Sequence, residues 1–163
     1  RITPFNDYSG TYGGTLYKIF LEGDTEPLTL NTHRAFVVDE KTIFLYAGIR
    51  DIDYLDRKDY KVFVRFTDDK IDLQKRKLEI WSDNEQNNKF KPGSTQSYYT
   101  IDEAWDPKLP YLKHIYITLY LSYEFEDYTA IPGQRLKYKV DGTLSMQRDL
   151  NTLIPDEDQQ IQW

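Results

Sequence analysis

The run Ile115-Tyr116-Ile117-Thr118-Leu119-Tyr120-Leu121-Ser122-Tyr123-Glu124-Phe125 decides the fold, because its apolar residues recur at every second position. Ile115, Ile117, Leu119, Leu121, Tyr123 and Phe125 share one face, and Tyr116, Thr118, Tyr120, Ser122 and Glu124 share the other. Strand side chains point alternately to opposite faces, so this is a strand with one side to bury and one to wet. The same pattern returns at Leu136, Tyr138, Val140, Gly142, Leu144 and Met146, set against Lys137, Lys139, Asp141, Thr143 and Ser145. Between the two runs lies the turn-rich segment 126–134 with Pro132-Gly133, which predicts an antiparallel hairpin. Each run is about 11 residues, roughly 36 Å if straight, and strands of that length tend to coil.

Shorter strand signals precede this hairpin. Thr15–Leu21 reads as a first strand after the glycine-loosened Ser9-Gly10-Thr11-Tyr12-Gly13-Gly14, and Leu28–Leu30 follows the turn Glu22-Gly23-Asp24. His33–Val38 and Thr42–Ala47 flank Asp39-Glu40-Lys41 as a further hairpin. Residues 50–59 are predicted as a connection with one helical turn. Tyr60, Val62, Val64 and Phe66 alternate against Phe63. Thr67–Arg76 is polar, with Ile71 and Leu73 as anchors, and Lys77–Trp81 is a short strand. Ser82–Ser97 has no periodicity and reads as the longest loop, Tyr98–Ile101 as a short strand and Asp106–Tyr111 as a connection. About eight to ten strands joined by short turns predict an all-β fold, an antiparallel up-and-down β-barrel, with a two-sheet β-sandwich as the alternative. Phe36, Val62, Val64, Leu119, Leu121 and Val140 are the expected core. Gly14, Ala47, Gly48 and Gly142 would either open space for a guest or relieve crowding where strands bend.

Composition narrows the function. With 29% charged residues and no apolar run near the roughly 20 needed to cross a bilayer, the chain does not read as a membrane span. A net charge of −6 with acids spread throughout argues against nucleic acid as a partner. The absence of cysteine excludes disulfides, zinc-thiolate sites and a cysteine nucleophile. Asp51, Asp53 and Asp56 crowd together but lack the glycine and distal glutamate of a Ca²⁺ loop, so a solvated loop is expected and no metal site. His33 and His114 belong to no metal or catalytic motif and read as strand-edge polar residues. Asp102 and Glu103 are adjacent, hence on opposite faces, and do not form the carboxylate pair of a glycosidase. No catalytic residue and no cofactor is expected, and the chain reads as non-enzymatic.

The remaining candidates are aromatic. Trp81 points away from Leu78 and Ile80 and runs into the polar loop, with Asn84, Gln86, Asn87 and Asn88 close by; Trp105 precedes Pro107. Flat rings stack on apolar sugar faces while amides bond hydroxyls, so Trp81, Trp105, Asn84 and Asn87 are the candidate carbohydrate-binding residues. The competing reading is that both Trp cap barrel ends.

Three segments carry a resemblance: Ser9-Gly10-Thr11-Tyr12-Gly13-Gly14-Thr15; Val38-Asp39-Glu40-Lys41-Thr42-Ile43-Phe44-Leu45-Tyr46-Ala47-Gly48; and Ile154-Pro155-Asp156-Glu157-Asp158-Gln159-Gln160-Ile161-Gln162-Trp163. They resemble the C-terminal domain of surface lipoproteins from Bacteroidetes, domains of unknown function often found beside glycan-uptake genes. The resemblance implies a lipocalin-like barrel and an exported location, at the cell surface and outer membrane or in the periplasm. The lipid anchor would lie upstream of Arg1, and contact with the membrane would run through that anchor alone. The partners implied are a glycan or other surface glycan-uptake proteins. The opening Arg1-Ile2-Thr3-Pro4 lacks an initiator Met, so residues 1–163 are expected to form a single barrel domain, the C-terminal part of a longer lipoprotein. A small hydrophobic-ligand carrier with a barrel cavity and a structural spacer are the alternative functions.

Overall fold

Alternating β-branched, aromatic and polar residues form nine strands in the computed structural model, which describes residues 8–20, 25–47, 59–129 and 131–154. They are β1 (Gly10–Phe20), β2 (Thr25–Asp39), β3 (Thr42–Tyr46), β4 (Lys61–Lys70), β5 (Arg76–Ser82), β6 (Lys91–Pro92), β7 (Tyr98–Trp105), β8 (Leu112–Asp127) and β9 (Leu136–Asn151). One short helix, α1 (Glu85–Asn88), lies between β5 and β6. Around the sheet the order is β8-β7-β5-β4-β3-β2-β1-β9, and β9 returns to pair with β8. Eight antiparallel strands therefore close an up-and-down barrel, while β6 is an extra strand on β8. Closure joins the first strand to the last, so neither is left as an edge strand, which a sandwich would not achieve; the shortest ladder is β5–β7, with Arg76↔Tyr99 and Lys77↔Tyr98.

The founding hairpin is longer than its hydropathy suggests. β8 and β9 pair from Leu112↔Asn151 to Asp127↔Leu136, and all of Ile115, Ile117, Leu119, Leu121, Tyr123 and Phe125 are buried. Its turn is built by Pro132-Gly133: proline presets the first central residue, and Gly133 takes φ +78°, with Gln134 N–H donating to the Ile131 carbonyl at 3.1 Å. At the other seam β1 meets β9 from Gly13↔Ser145 to Phe20↔Tyr138. Gly14 sits beside a register shift in the β1–β2 ladder, at φ +155°. A Cβ there would lie 2.1 Å from the Thr143 carbonyl oxygen. The glycine is what lets the first and last strands approach closely enough to close the barrel.

Several local expectations change. Leu28–Leu30 and His33–Val38 are parts of one strand, β2. Tyr98–Ile101 continues to Trp105, so Trp105 ends a strand rather than sitting in a loop. Ser82–Ser97 contains α1 and β6, held by the buried Asn88: its amide donates to the Asp59 carbonyl and to Ser82 Oγ, and its oxygen accepts from Phe90 N–H. Ile71 and Leu73 anchor nothing; Leu73 is 93% exposed. Phe36 is not core. The register places His33 inward opposite Tyr12 and Ala35 inward opposite Gly10, and because strand faces alternate, Phe36 turns outward and is 38% exposed. The other expected core residues, Val62, Val64, Leu119, Leu121 and Val140, are buried. Asp51, Asp53, Asp56 and Gly48 lie outside the described residues.

The candidate site at the barrel mouth

In a meander the turns alternate between two ends. The β2–β3, β4–β5 and β7–β8 connections therefore share one end with the start of β1 and the end of β9; this is the Lys41 end. The opposite end carries α1 and the β8–β9 turn. Trp81 lies four residues past Lys77 on β5, toward α1, while Trp105 lies seven past Tyr98 on β7, toward Lys41, and Lys77 pairs with Tyr98. Eleven strand residues separate the two indoles by roughly 36 Å. Trp81, Asn84 and Asn87 on one hand and Trp105 on the other do not form one surface.

At the α1 end the asparagines are engaged in structure. Asn84 Nδ2 donates to Asp59 Oδ1 at 3.0 Å, and Tyr128 donates to the other Asp59 oxygen. Asn87 is exposed, and its carbonyl accepts a 2.6 Å bond from Arg135, whose guanidinium also lies over Tyr128. Trp81 is half-buried on the outer face, stacked on Phe63 at 5.6 Å.

The Lys41 end is different. Tyr99, Ile101, Glu103 and Trp105 share one face of β7, and that face emerges from the interior along the strand: exposure is 1% at Tyr99, 37% at Ile101 and 55% at Trp105. Around it opens a cleft of about 490 Å³ lined by Tyr8, Lys41, Asp68, Leu73, Gln74, Arg76, Tyr99, Ile101, Asp102 and Glu103. Its floor is aromatic. Tyr8 stacks on Phe66 with centres 3.8 Å apart, and Tyr99 meets Phe66 edge-on at 4.9 Å. Its walls carry charge of both signs. Asp68 sits between Lys41 at 3.2 Å and Arg76 at 3.8 Å, and Lys113 bridges Glu103 at 3.1 Å while its ammonium lies 4.9 Å from the Trp105 ring centre.

Protonation at the cleft follows from this packing. Burial, with the nearby Tyr99 and Asp68, pushes the Tyr8 phenol up to about 12, and burial likewise raises Tyr99. Both stay neutral at physiological pH; Tyr99 donates to the Thr67 carbonyl at 2.7 Å. Below Trp105, His114 joins two carboxylates, with Nδ1 2.6 Å from Asp149 and Nε2 2.9 Å from Asp106. Those bonds, Asp149 first, raise the His114 pKa; the bond from His114 holds Asp106 below the usual carboxylate range. Asp106 Oδ1 in turn accepts from the N–H groups of Lys108 and Leu109, so the cluster fixes the turn that follows Trp105. His33, by contrast, is buried, and that burial lowers its pKa; Nε2 donates to the Tyr46 carbonyl.

Among the described residues, no three His, Asp or Glu side chains gather as a metal-binding set. Of the cleft residues, the sequence singles out only Leu73, as an anchor, and Asp102 and Glu103, as a carboxylate pair that does not form; Trp105, the ring it picks for stacking, stands beside the cleft. Tyr8, Lys41, Asp68, Arg76 and Tyr99 come from five separate elements, and only the meander brings them together.

A family model described as "-like, C-terminal" matches residues 1–145. The chain belongs to this family of C-terminal domains. None of the curated proteins matches. Solved structures similar to it come from Bacteroides. A protein of unknown function from Bacteroides ovatus is 37% identical, with a TM-score of 0.80 over 95% of this chain and 51% of its own. An auxiliary nutrient binding protein from Bacteroides thetaiotaomicron VPI-5482 is 38% identical, with a TM-score of 0.77 over 100% of this chain and 53% of its own. A multidomain protein including DUF1735 from Bacteroides ovatus is 32% identical, with a TM-score of 0.80 over 99% of this chain and 65% of its own. This family member thus spans about half to two thirds of the length of the solved proteins it matches.

Proposed function

We propose that this barrel is a non-enzymatic binding domain of a lipid-anchored, cell-surface nutrient-acquisition protein, and that it holds carbohydrate at its Lys41 end. The observation that carries the reading is the cleft of about 490 Å³ beside a half-exposed indole on the same strand face. That volume falls in the range of small-ligand sites, roughly 300–1,000 Å³. Trp105 offers a ring for stacking, and Lys41, Gln74, Arg76, Asp102 and Glu103 offer donors and acceptors for hydroxyls. Cations and carboxylates are balanced there, which suits a neutral glycan. Similarity to an auxiliary nutrient binding protein supports the same reading.

A hydrophobic-ligand carrier is less favoured, because Tyr12, Phe66, Tyr99, Leu119, Tyr123 and Leu144 fill the interior between the strands, each almost fully buried. A pure spacer has no use for the open cleft. Tryptophan fluorescence titrated with plant and host polysaccharides, checked by affinity electrophoresis, tests the proposal. A saturable shift lost in Trp105→Ala and kept in Trp81→Ala supports it. Silence across the panel, or a response that depends on Trp81 alone, sinks it.

A further inference from the structure

The outer face of β2–β5 carries a feature that the mouth cleft does not use. Phe36, Phe44, Phe63 and Trp81 are direct cross-strand partners, each paired with the next. Three interstrand steps of about 4.8 Å make a row about 14 Å long. The rings stand against one another, with centres 5.0, 5.8 and 5.6 Å apart, and Tyr46 meets Phe36 and Phe44 edge-on. Phe36 stacks on Phe44 and Phe63 on Trp81, while Phe44 meets Phe63 tilted at 48°, so ring faces are covered within the row and the edge, the positive rim of an aromatic ring, is what remains for a partner.

Basic groups follow the same line. The Arg34 guanidinium lies 5.8 Å from the Phe36 ring centre, the Lys61 ammonium 4.6 Å from that of Phe44, and the Arg65 guanidinium 5.5 Å from that of Trp81. Arg34, Lys61 and Arg65 lie two positions along from the row, against two acids on these strands: Glu79, 3.9 Å from Arg65, and Asp39, whose carboxylate also feels Arg65 across Thr42. On a chain of net charge −6 this is a local excess of cations, three against two.

We propose that this row docks an acidic peptide segment of a partner protein. Carboxylates would meet Arg34, Lys61 and Arg65, and an alternating apolar side chain would lie on the ring edges. A sugar is disfavoured because stacking needs open ring faces. A symmetric pair of these chains is disfavoured because it would set cation against cation. The length fits as well: about 14 Å is four residues of extended chain at about 3.5 Å each. A contact of that size lies well below a standard interface, so the affinity belongs to the weak, transient class.

The test uses three labelled octapeptides, an alternating Glu-Leu sequence and its Gln-Leu and Lys-Leu counterparts, titrated against the 163-residue chain by fluorescence anisotropy. The Glu-Leu peptide is expected to bind with a response that weakens as salt rises, with the Gln-Leu peptide about tenfold weaker. The double variant Lys61→Glu/Arg65→Glu, checked for its fold by circular dichroism, should lower Glu-Leu binding at least about tenfold. Trp105→Ala should leave it unchanged, which separates this surface from the carbohydrate cleft. Equal binding of the three peptides, no binding of the acidic one, or binding that survives the double variant overturns the proposal. Polygalacturonate that binds where the acidic peptide does not, and is lost in the double variant, overturns it in favour of an anionic polysaccharide.

Discussion

Replacing Gly14 by alanine should damage the barrel at its closing seam. The new Cβ would lie 2.1 Å from the Thr143 carbonyl oxygen, 3.0 Å from its carbon and 3.1 Å from Leu144 Cα. All three atoms are backbone, so no rotamer change relieves the clash. β1 must draw back from β9 by about 1 Å, which breaks about two ladder hydrogen bonds at about 1 kcal/mol each. The φ of +155° adds about 1 kcal/mol of backbone strain. The sum is about 3 kcal/mol, or a fall in Tm of about 6–12 °C for a chain of this length. Gly133→Ala is the control: it shares a positive φ, +78°, but its Cβ would meet nothing within 4 Å. That variant should lose about 1 kcal/mol. Urea unfolding of both variants measures the difference directly. If Gly14→Ala proves no more destabilising than Gly133→Ala, the close approach of the two seam strands is not what Gly14 provides.

Asn88→Ala should cost about 2–3 kcal/mol by thermal unfolding, since it removes the buried amide's bonds to the Phe90 N–H, the Asp59 carbonyl and Ser82 Oγ; a loss below about 1 kcal/mol would contradict this. The His114 cluster should be pH-dependent in two directions. A raised histidine pKa contributes stability below about 6.5 that is lost as pH climbs through the folded value, and the lowered Asp106 contributes above about 3.9 and is lost on acidification. Relative to His114→Gln, the native chain should therefore be most stabilised between about pH 4 and 6.5, and the gap should narrow toward pH 9. A gap that is flat across that range refutes the coupling. Trp105→Ala should abolish the polysaccharide response while shifting Tm by less than about 2 °C, because the indole is more than half exposed.

The long hairpin was legible because its period-two pattern runs unbroken on both strands. Its full length was not: Arg148 occupies an inward position on β9 between Met146 and Leu150, so the hydropathy pattern stops before the strand does. Phe36 misled for the opposite reason, since bulk favoured burial while the register of His33 and Ala35 decided the face. α1 and β6 depend on tertiary bonds from one buried amide, which leave no local signal. Trp105 was readable as a ring among polar residues. The cleft around it draws on residues from Tyr8 to Glu103, and proximity of that kind belongs to topology rather than to any stretch of sequence. The outer row did have a signal: aromatic residues at the outward positions of successive strands, beside Val62 and Val64 pointing in.

The seam between β1 and β9 also sets how the chain must fold. Gly13 pairs with Ser145, a separation of 132 residues (145 minus 13), and that ladder is the last a meander can form. Contacts so distant in sequence place a barrel among the slower two-state folders, in the millisecond-to-second range. On the ribosome, β1 is made first and has no partner on one side until the final strand has emerged. Until then the growing sheet presents an open edge.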